Sequence, residues 1–315
     1  MSKIAVIGTG LIGQGWAAVF AQAGFDVAMF DVSPDALDRA MKAMDVRIAD
    51  LAEFDLISPL DAPKILARIT PARSLEDAVA GAIYIQENGP EDVEIKRDIT
   101  QALDGIAAPG VPIGSSTSGI SASRYCAQIP GRQRCLVVHP INPPHLIPAV
   151  EIVPTPWSDA GIVAQVKDLM IQCRRETIVL NTEIDGFVVN RLQGALLQEA
   201  FKLVGDGVVS AEDLDKAICE GLGLRWSFMG PMQTIHLNAP GGVADYVARY
   251  GQMYQDFGIG ANADVDWAHI AQTRLAPELL DRTPVDDIPA AQVVRDRKLM
   301  ALLRHRKHNQ TDKSS

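Results

Sequence analysis

The sequence predicts an α/β fold, in which a doubly wound and mostly parallel sheet is followed by an all-α C-terminal domain. Short apolar runs alternate with helix-length segments up to residue 185, and glycine or proline lies in most of the gaps. A glycine-rich turn follows the first apolar run. After Gly186 apolar residues recur at helical spacing, with no convincing strand.

Seven strands are predicted in the first part of the chain. They are Lys3–Ile7, Asp26–Phe30, Ala82–Gln86, Val111–Gly114, Cys135–Val138, Val150–Val153 and Thr177–Leu180. Ser33-Pro34 and Pro90-Glu91-Asp92 each predict the start of a helix, because proline suits the first helical position and acids suit the positive end of the helix dipole. We expect two domains, residues 1–185 and residues 186–315.

Composition excludes several kinds of partner. The 315 residues include 39 acidic and 29 basic side chains, and the net charge of -10 disfavours nucleic acid. The four cysteines lack C-x-x-C spacing, so no metal site or disulfide framework is expected. An uncharged run from Ile4 to Phe25 is broken by five glycines and is too interrupted to span a bilayer. We expect a cytoplasmic protein with no membrane partner.

The glycine-rich turn matches the pattern G-x-G-x-x-G. It contains Gly8, Gly10, Leu11, Ile12 and Gly13. In this pattern the first glycine makes a tight turn, the second admits a pyrophosphate, and the third lets the helix pack closely on the strand. Because the motif follows an apolar strand and begins a helix, it predicts a Rossmann-type domain that binds a dinucleotide.

Asp31 is predicted to select the cofactor. It ends the second strand, about 20 residues after the glycine motif, where an acid binds the ribose hydroxyls of NAD. A carboxylate there would repel the 2′-phosphate of NADP, so we expect NAD. The alternative is an aspartate that only caps the helix following Ser33-Pro34.

His139 and Glu151 are the candidate acid–base pair. His139 closes a predicted strand, at the edge where open α/β sheets bind ligands. Glu151 lies inside an apolar strand, where an unpaired carboxylate is costly. A carboxylate on one ring nitrogen would leave the other nitrogen free to act as a base. The alternative is a structural histidine and a glutamate paired elsewhere.

Two further polar features could reach the same edge of the sheet. The hydroxyl run Ser115-Ser116-Thr117-Ser118 ends a predicted strand, although such runs are also common helix caps. Asn190 would begin the first long helix of the second domain. Its amide could donate to a substrate oxygen, or it could equally cap a helix or bridge the domains.

Together these motifs resemble the L-3-hydroxyacyl-CoA dehydrogenase superfamily. Within it, the chain is most similar to the branch of lambda-crystallin and L-gulonate 3-dehydrogenase. The stretches that carry this likeness are Gly8 to Gly13, His139-Pro140-x-Asn142-Pro143-Pro144, Glu183-Ile184-Asp185-Gly186-Phe187-Val188 and Gly221-Leu222-Gly223-Leu224-Arg225-Trp226. The resemblance implies an NAD-dependent enzyme and a homodimer.

The resemblance also implies roles for particular residues. His139 and Glu151 would form the base pair, while Ser118 and Asn190 would contact the substrate oxygen. Three more residues are implied as contacts on the cofactor side: Glu91, Lys96 and Asn142. The implied reaction is reversible oxidation of a secondary alcohol β to a carboxyl group.

Charge favours a small, free 3-hydroxy acid, such as L-gulonate, as the substrate. Residues 40–68, where the acyl-CoA relatives place much of the CoA contact, hold four basic and five acidic side chains. That balance does not attract a polyanion. Arg225 could bind a free carboxylate through two hydrogen bonds, or form an ion pair between domains. L-carnitine and acyl-CoA substrates stay open, as does a non-catalytic, crystallin-like dinucleotide-binding protein.

Overall fold

The computed structural model describes residues 2–257, 266–282 and 284–311. These residues form one eight-stranded sheet with strand order β3-β2-β1-β4-β5-β6-β7-β8. The strands are β1 Lys3–Ile7, β2 Asp26–Phe30, β3 Ile69–Pro71, β4 Ala82–Glu87, β5 Ile113–Ser115, β6 Cys135–Pro140, β7 Ala149–Val153 and β8 Glu176–Val179. All neighbours are parallel except β6 and β7. The predicted fold class is confirmed.

Helices occupy the connections and the C-terminal part. They are α1 Leu11–Gln22, α2 Pro34–Glu53, α3 Ala62–Leu66, α4 Leu75–Val79, α5 Val93–Ile106, α6 Ser123–Cys126, α7 Ala160–Gln172, α8 Val189–Gly205, α9 Ala211–Lys216, α10 Leu224–Trp226, α11 Pro231–Leu237, α12 Gly242–Asp256, α13 Trp267–Ile270, α14 Ala276–Arg282 and α15 Ile288–Thr311. Short 3₁₀ segments lie at Arg132–Arg134 and Val285–Asp287, and π-helical segments at Ala217–Gly223 and Ala271–Leu275.

Two details differ from the sequence predictions. The edge strand β3 was not predicted, because three residues ending in Pro71 are too few to show a strand period. Helix α5 begins at Val93 rather than at Pro90. Asp92 is its N-cap, and the Asp92 carboxylate accepts hydrogen bonds from the Glu94 and Ile95 amides. Glu91 therefore lies in the loop that leads from β4 to α5.

The sheet buries both faces, as a parallel sheet with helices on each side must. Alternating residues of β1 enter two separate cores: Ile4 and Val6 pack on one face, and Ala5 and Ile7 on the other. The side chains of α1, α2 and α7 complete the first core, and those of α5 and α6 complete the second. This packing brings the carboxyl ends of β1, β2, β4, β5 and β6 to one edge.

The chain divides into two compact units. The first contains Met1–Asn190 and Val294–Ser315, and the second contains Arg191–Val293. The boundary at residue 185, expected from sequence, stays a prediction. None of the described helices combines the length and apolar character needed to cross a membrane. Among the described residues, no group of three or more His, Cys, Asp or Glu side chains is arranged to hold a metal ion.

Candidate active site

The glycine motif forms the turn between β1 and α1. Gly8 has a φ of 89°, and a Cβ there would lie 2.7 Å from the Asn88 carbonyl oxygen. A Cβ on Gly13 would lie 2.0 Å from the Gly8 carbonyl oxygen. At Gly10 a Cβ would meet no atom within 4 Å among the described residues. The first and third glycines are thus required by packing, whereas the second borders open space at the N-terminus of α1, which suits a pyrophosphate.

Asp31 lies beside this turn, at the end of β2. Its Oδ2 accepts hydrogen bonds from the Thr9 amide (2.8 Å) and the Thr9 hydroxyl (2.9 Å), and its Oδ1 accepts one from the Ser33 amide (3.0 Å). Burial acts to raise the pKa of this carboxyl, but these hydrogen bonds and the charge of Arg39 outweigh it and hold the pKa below its usual value. The helix cap is Ser33, whose hydroxyl accepts from Ala36. Asp31 is therefore an anion with acceptor capacity left for ribose hydroxyls.

His139 and Glu151 face each other across the antiparallel pair β6 and β7. They are register partners, and His139 Nδ1 lies 2.8 Å from Glu151 Oε2. The two residues are 5% and 0% exposed. The predicted pair is therefore in contact, and the strand register is what joins them.

Glu151 is held in the ionised form. Its Oε1 accepts hydrogen bonds from the amides of Val188 (2.7 Å) and Val189 (3.0 Å). Burial acts to raise the pKa of Glu151, but the hydrogen bonds from His139 and the two amides outweigh it and lower that pKa. An ionised carboxylate only accepts, so Nδ1 of His139 donates this hydrogen bond, and in a neutral imidazole Nε2 then has the lone pair.

The loop after β5 carries the candidate serine. Glu91 Oε1 accepts three hydrogen bonds from this loop, from the Thr117 hydroxyl (2.6 Å) and from the amides of Ser118 and Gly119 (3.0 Å each). The Asn190 amide nitrogen donates to the Ser118 carbonyl oxygen at 2.5 Å. The Ser118 hydroxyl makes no hydrogen bond to the described part of the chain.

The first turn of α8 contacts both Glu151 and the loop that carries Ser118. The Val189 amide donates to Glu151 of the candidate acid–base pair, and the next residue, Asn190, donates to the Ser118 carbonyl. Asn190 uses one amide proton on the Ser118 carbonyl, so one amide proton is left for a substrate oxygen. The roles of Ser118 and Asn190 toward a substrate stay predictions.

A buried ion pair between Lys96 and Glu87, which was not predicted from the sequence, lies next to the loop that carries Glu91. Lys96 is 1% exposed, and its Nζ lies 3.1 Å from Glu87 Oε2 and 4.0 Å from Glu91 Oε2. The Ser115 hydroxyl also donates to Glu87. Glu87, an acid at the end of the apolar strand β4, was the signal in the sequence that a buried basic partner is needed. Lys96 thus supports the carboxylates of the loop from within, and direct cofactor contacts by Lys96 and Glu91 stay predictions.

Two other predicted site residues, Asn142 and Arg225, are exposed. Asn142 is exposed in the loop between β6 and β7. Arg225 belongs to the second unit, where it is exposed on the short helix α10. Their expected roles, beside the nicotinamide and at the substrate carboxylate, stay predictions.

Comparison with known proteins gives consistent matches. The family model for the NAD binding domain of 3-hydroxyacyl-CoA dehydrogenase matches residues 3–184, and that for the C-terminal domain of 3-hydroxyacyl-CoA dehydrogenase matches residues 186–275. A lambda-crystallin homolog of Bos taurus is 41% identical over 251 residues, which is 79% of this chain and 78% of that protein. An L-carnitine dehydrogenase of Streptomyces coelicolor is 35% identical over 280 residues, 89% and 84% of the two chains.

A solved structure is also similar over nearly the whole chain. It is 5-formyl-3-hydroxy-2-methylpyridine 4-carboxylic acid 5-dehydrogenase, described as an NAD+-dependent dismutase. The TM-score is 0.82 at 29% sequence identity, and the match covers 96% of this chain and 98% of that one.

Proposed function

Because the chain belongs to the 3-hydroxyacyl-CoA dehydrogenase family and is an NAD-dependent oxidoreductase acting on CH–OH groups, we propose that it oxidises the 3-hydroxyl of a small, free 3-hydroxy acid to the 3-keto acid. The observation that carries this proposal is the contact between His139 and Glu151 at the carboxyl edge of the sheet.

His139 acts as the base in this reaction. Its Nε2 takes the hydroxyl proton while the C–H bond at the same carbon breaks. NAD, which the turn at Gly8, Gly10 and Gly13 and the carboxylate of Asp31 would hold, would supply the acceptor for the hydride from that carbon. Glu151 holds the imidazole in the required tautomer and balances the positive charge that the ring acquires. Ser118 and the second amide proton of Asn190 orient the substrate oxygen. Proton and hydride together account for the two hydrogens lost by the alcohol.

Three of the four basic side chains of residues 40–68 already contact other side chains, which supports a free acid over an acyl-CoA. Arg47 is partly buried, and its Nη1 lies 2.8 Å from Nε2 of His145. Lys64 pairs with Asp61 at 3.0 Å, and Arg68 pairs with Asp26 at 3.2 Å. A polyanion such as CoA would have to disrupt these contacts to gain its own. Arg225 is the proposed group for the substrate carboxylate.

L-carnitine is the second candidate substrate, because a relative of that name matches 89% of this chain. A direct assay separates the candidates: NADH formation is followed at fixed NAD with L-gulonate, L-carnitine and 3-hydroxybutyryl-CoA. The proposal expects the highest kcat/KM with the free sugar acid. Turnover of only the CoA ester would refute the substrate assignment, and no turnover with any of them would favour a non-catalytic, crystallin-like role.

His139→Gln tests the base directly. The variant should lose about 10²- to 10⁴-fold in kcat, the usual contribution of a positioned base, while NAD affinity stays the same. Near-normal turnover in His139→Gln would remove His139 from the mechanism. Titration of NAD by quenching of tryptophan fluorescence provides the control for cofactor binding.

We also propose that the protein is a homodimer built on the unit Arg191–Val293. Large apolar side chains of this unit are exposed in the single chain, among them Leu192 (65%), Phe228 (73%) and Met232 (72%). Many exposed large apolar side chains on one unit favour an interface there. Light scattering on the purified protein should give twice the chain mass of 33.9 kDa, and a monomer at micromolar concentration would contradict the proposal.

A further inference from the structure

The turn before α8 contains two consecutive residues in the left-handed region. Gly186 has a φ of 75° and Phe187 a φ of 52°. Glycine adopts this conformation freely, but a bulky aromatic residue rarely does and needs surrounding contacts to hold it there. Those contacts are present, since the Phe187 amide donates to the Ile184 carbonyl at 3.1 Å and the Phe187 side chain is 0% exposed.

The backbone of this turn aims two amides at one carboxylate oxygen. Directly after Phe187, the N–H groups of Val188 and Val189 both donate to Glu151 Oε1. A helical or extended φ at Phe187 would redirect the peptide that carries the Val188 N–H. The unusual conformation at Phe187 is therefore coupled to the ionised state of Glu151.

The Phe187 ring packs on the imidazole itself. The ring centroids of Phe187 and His139 lie 5.4 Å apart, and the ring planes meet at 53°. Glu151 holds only the Nδ1 corner of the imidazole, which leaves the ring able to pivot about that hydrogen bond. A buried phenyl ring against the imidazole opposes this motion and keeps Nε2 in one direction.

We propose that Phe187 is a positioning residue for the acid–base pair, acting through its ring on His139 and through its backbone on Glu151. The inference rests on the proposed role of His139 as base. Because a small displacement of a reacting group is costly, Phe187→Leu should lower kcat by about 10- to 100-fold. The KM of the hydroxy acid and the affinity for NAD should change little, since Phe187 is buried behind His139 and has no exposed surface for a ligand.

The matched control is Phe25→Leu. Phe25 is also a buried phenylalanine (6% exposed) in the first unit, but it precedes β2, at the opposite end of that strand from Asp31. Phe25→Leu should lose about as much unfolding free energy in urea as Phe187→Leu does, and its kcat should stay unchanged. Equal losses of kcat in Phe25→Leu and Phe187→Leu would show a general stability effect and would overturn the proposal.

A second measurement does not depend on turnover. Nitrogen-15 NMR of the histidines should show a single Nδ1–H tautomer for His139 in the wild type and a mixture in Phe187→Leu. If Phe187→Leu does not fold, Phe187→Met, which fills the space with a flexible chain, serves in both measurements. A single tautomer with wild-type kcat in the variant would overturn the proposal.

The double variant separates this inference from the proposed function. If Phe187 acts through the base, Phe187→Leu should have no further effect on kcat in a His139→Gln background. Independent, multiplying losses would overturn the positioning role. An inactive His139→Gln with an unaffected Phe187→Leu refutes only the inference, whereas an active His139→Gln refutes the proposed function.

Discussion

Replacing Glu151 with glutamine tests the acid–base pair most sharply, because the shape of the side chain is kept. The carboxylate accepts three hydrogen bonds, from His139 Nδ1 and from the amides of Val188 and Val189. A carboxamide has one oxygen, and the two backbone amides require it. Its NH₂ group must then face Nδ1, which has to become an acceptor. The ring changes to the Nε2–H tautomer, and the atom that should take the substrate proton is already protonated.

The expected loss of activity is large and leaves cofactor binding unaffected. With the wrong tautomer, kcat should fall by about 10³- to 10⁴-fold, while the affinity for NAD is unchanged. The assay is single-turnover NADH formation, together with NAD titration. The control is Glu176→Gln, an exposed residue on the neighbouring strand β8. A kcat in Glu151→Gln within about tenfold of the wild type would refute the proposed mechanism.

Stability provides a second readout with a defined pH dependence. The loss of charge-assisted hydrogen bonds should cost about 1–3 kcal/mol of unfolding free energy at pH 7. The pKa of Glu151 is lowered in the folded state, so its stabilisation is present above the ordinary glutamate pKa of about 4.3 and disappears as the pH falls through the lowered value. The difference between wild type and variant should therefore vanish on acidification. A difference that grew toward low pH would contradict the assignment.

Four other variants give distinct outcomes. Gly10→Ala should fold normally and bind NAD weakly, because its Cβ would enter the open space that suits a pyrophosphate. Gly13→Ala should lose about 1–3 kcal/mol of unfolding free energy, because its Cβ would overlap the Gly8 carbonyl. Equal stabilities of the two variants in urea would contradict this expectation. Asp31→Ala with an added neighbouring arginine should lower the ratio of kcat/KM for NAD to that for NADP, and an unchanged ratio would exclude Asp31 as the selector. Arg225→Met should raise the KM of the free acid about 10- to 100-fold with little change in NAD affinity, and an unchanged KM would exclude a carboxylate contact.

Much of the first unit could be predicted from local patterns. Glycines at 8, 10 and 13 between a strand and a helix, followed by Asp31, carry their meaning in their spacing, because the packing of that turn is local. Seven of the eight strands were likewise visible as apolar runs. The exception, β3, forms its pairs with β2 only when the chain has folded, since three residues carry too little pattern.

The contact between His139 and Glu151 could be predicted only in part from the sequence. An acid inside an apolar strand indicated that a partner was needed, but twelve residues of separation do not specify a contact. The antiparallel pairing of β6 with β7 makes the contact, and this pairing is a property of the assembled sheet. The same holds for Lys96, whose burial against Glu87 depends on how α5 packs on β4.

The sequence by itself therefore determined the fold class and indicated the cofactor, because short-range patterns of apolar residues and glycines predict a Rossmann-type domain and the acid at position 31 is expected to favour NAD. Only the tertiary structure decided which polar groups touch. Strand register joined His139 to Glu151, and the left-handed turn at Phe187 supplied the amides that keep the carboxylate charged. Such contacts depend on distances between segments far apart in the chain, and these distances are established only when the segments pack.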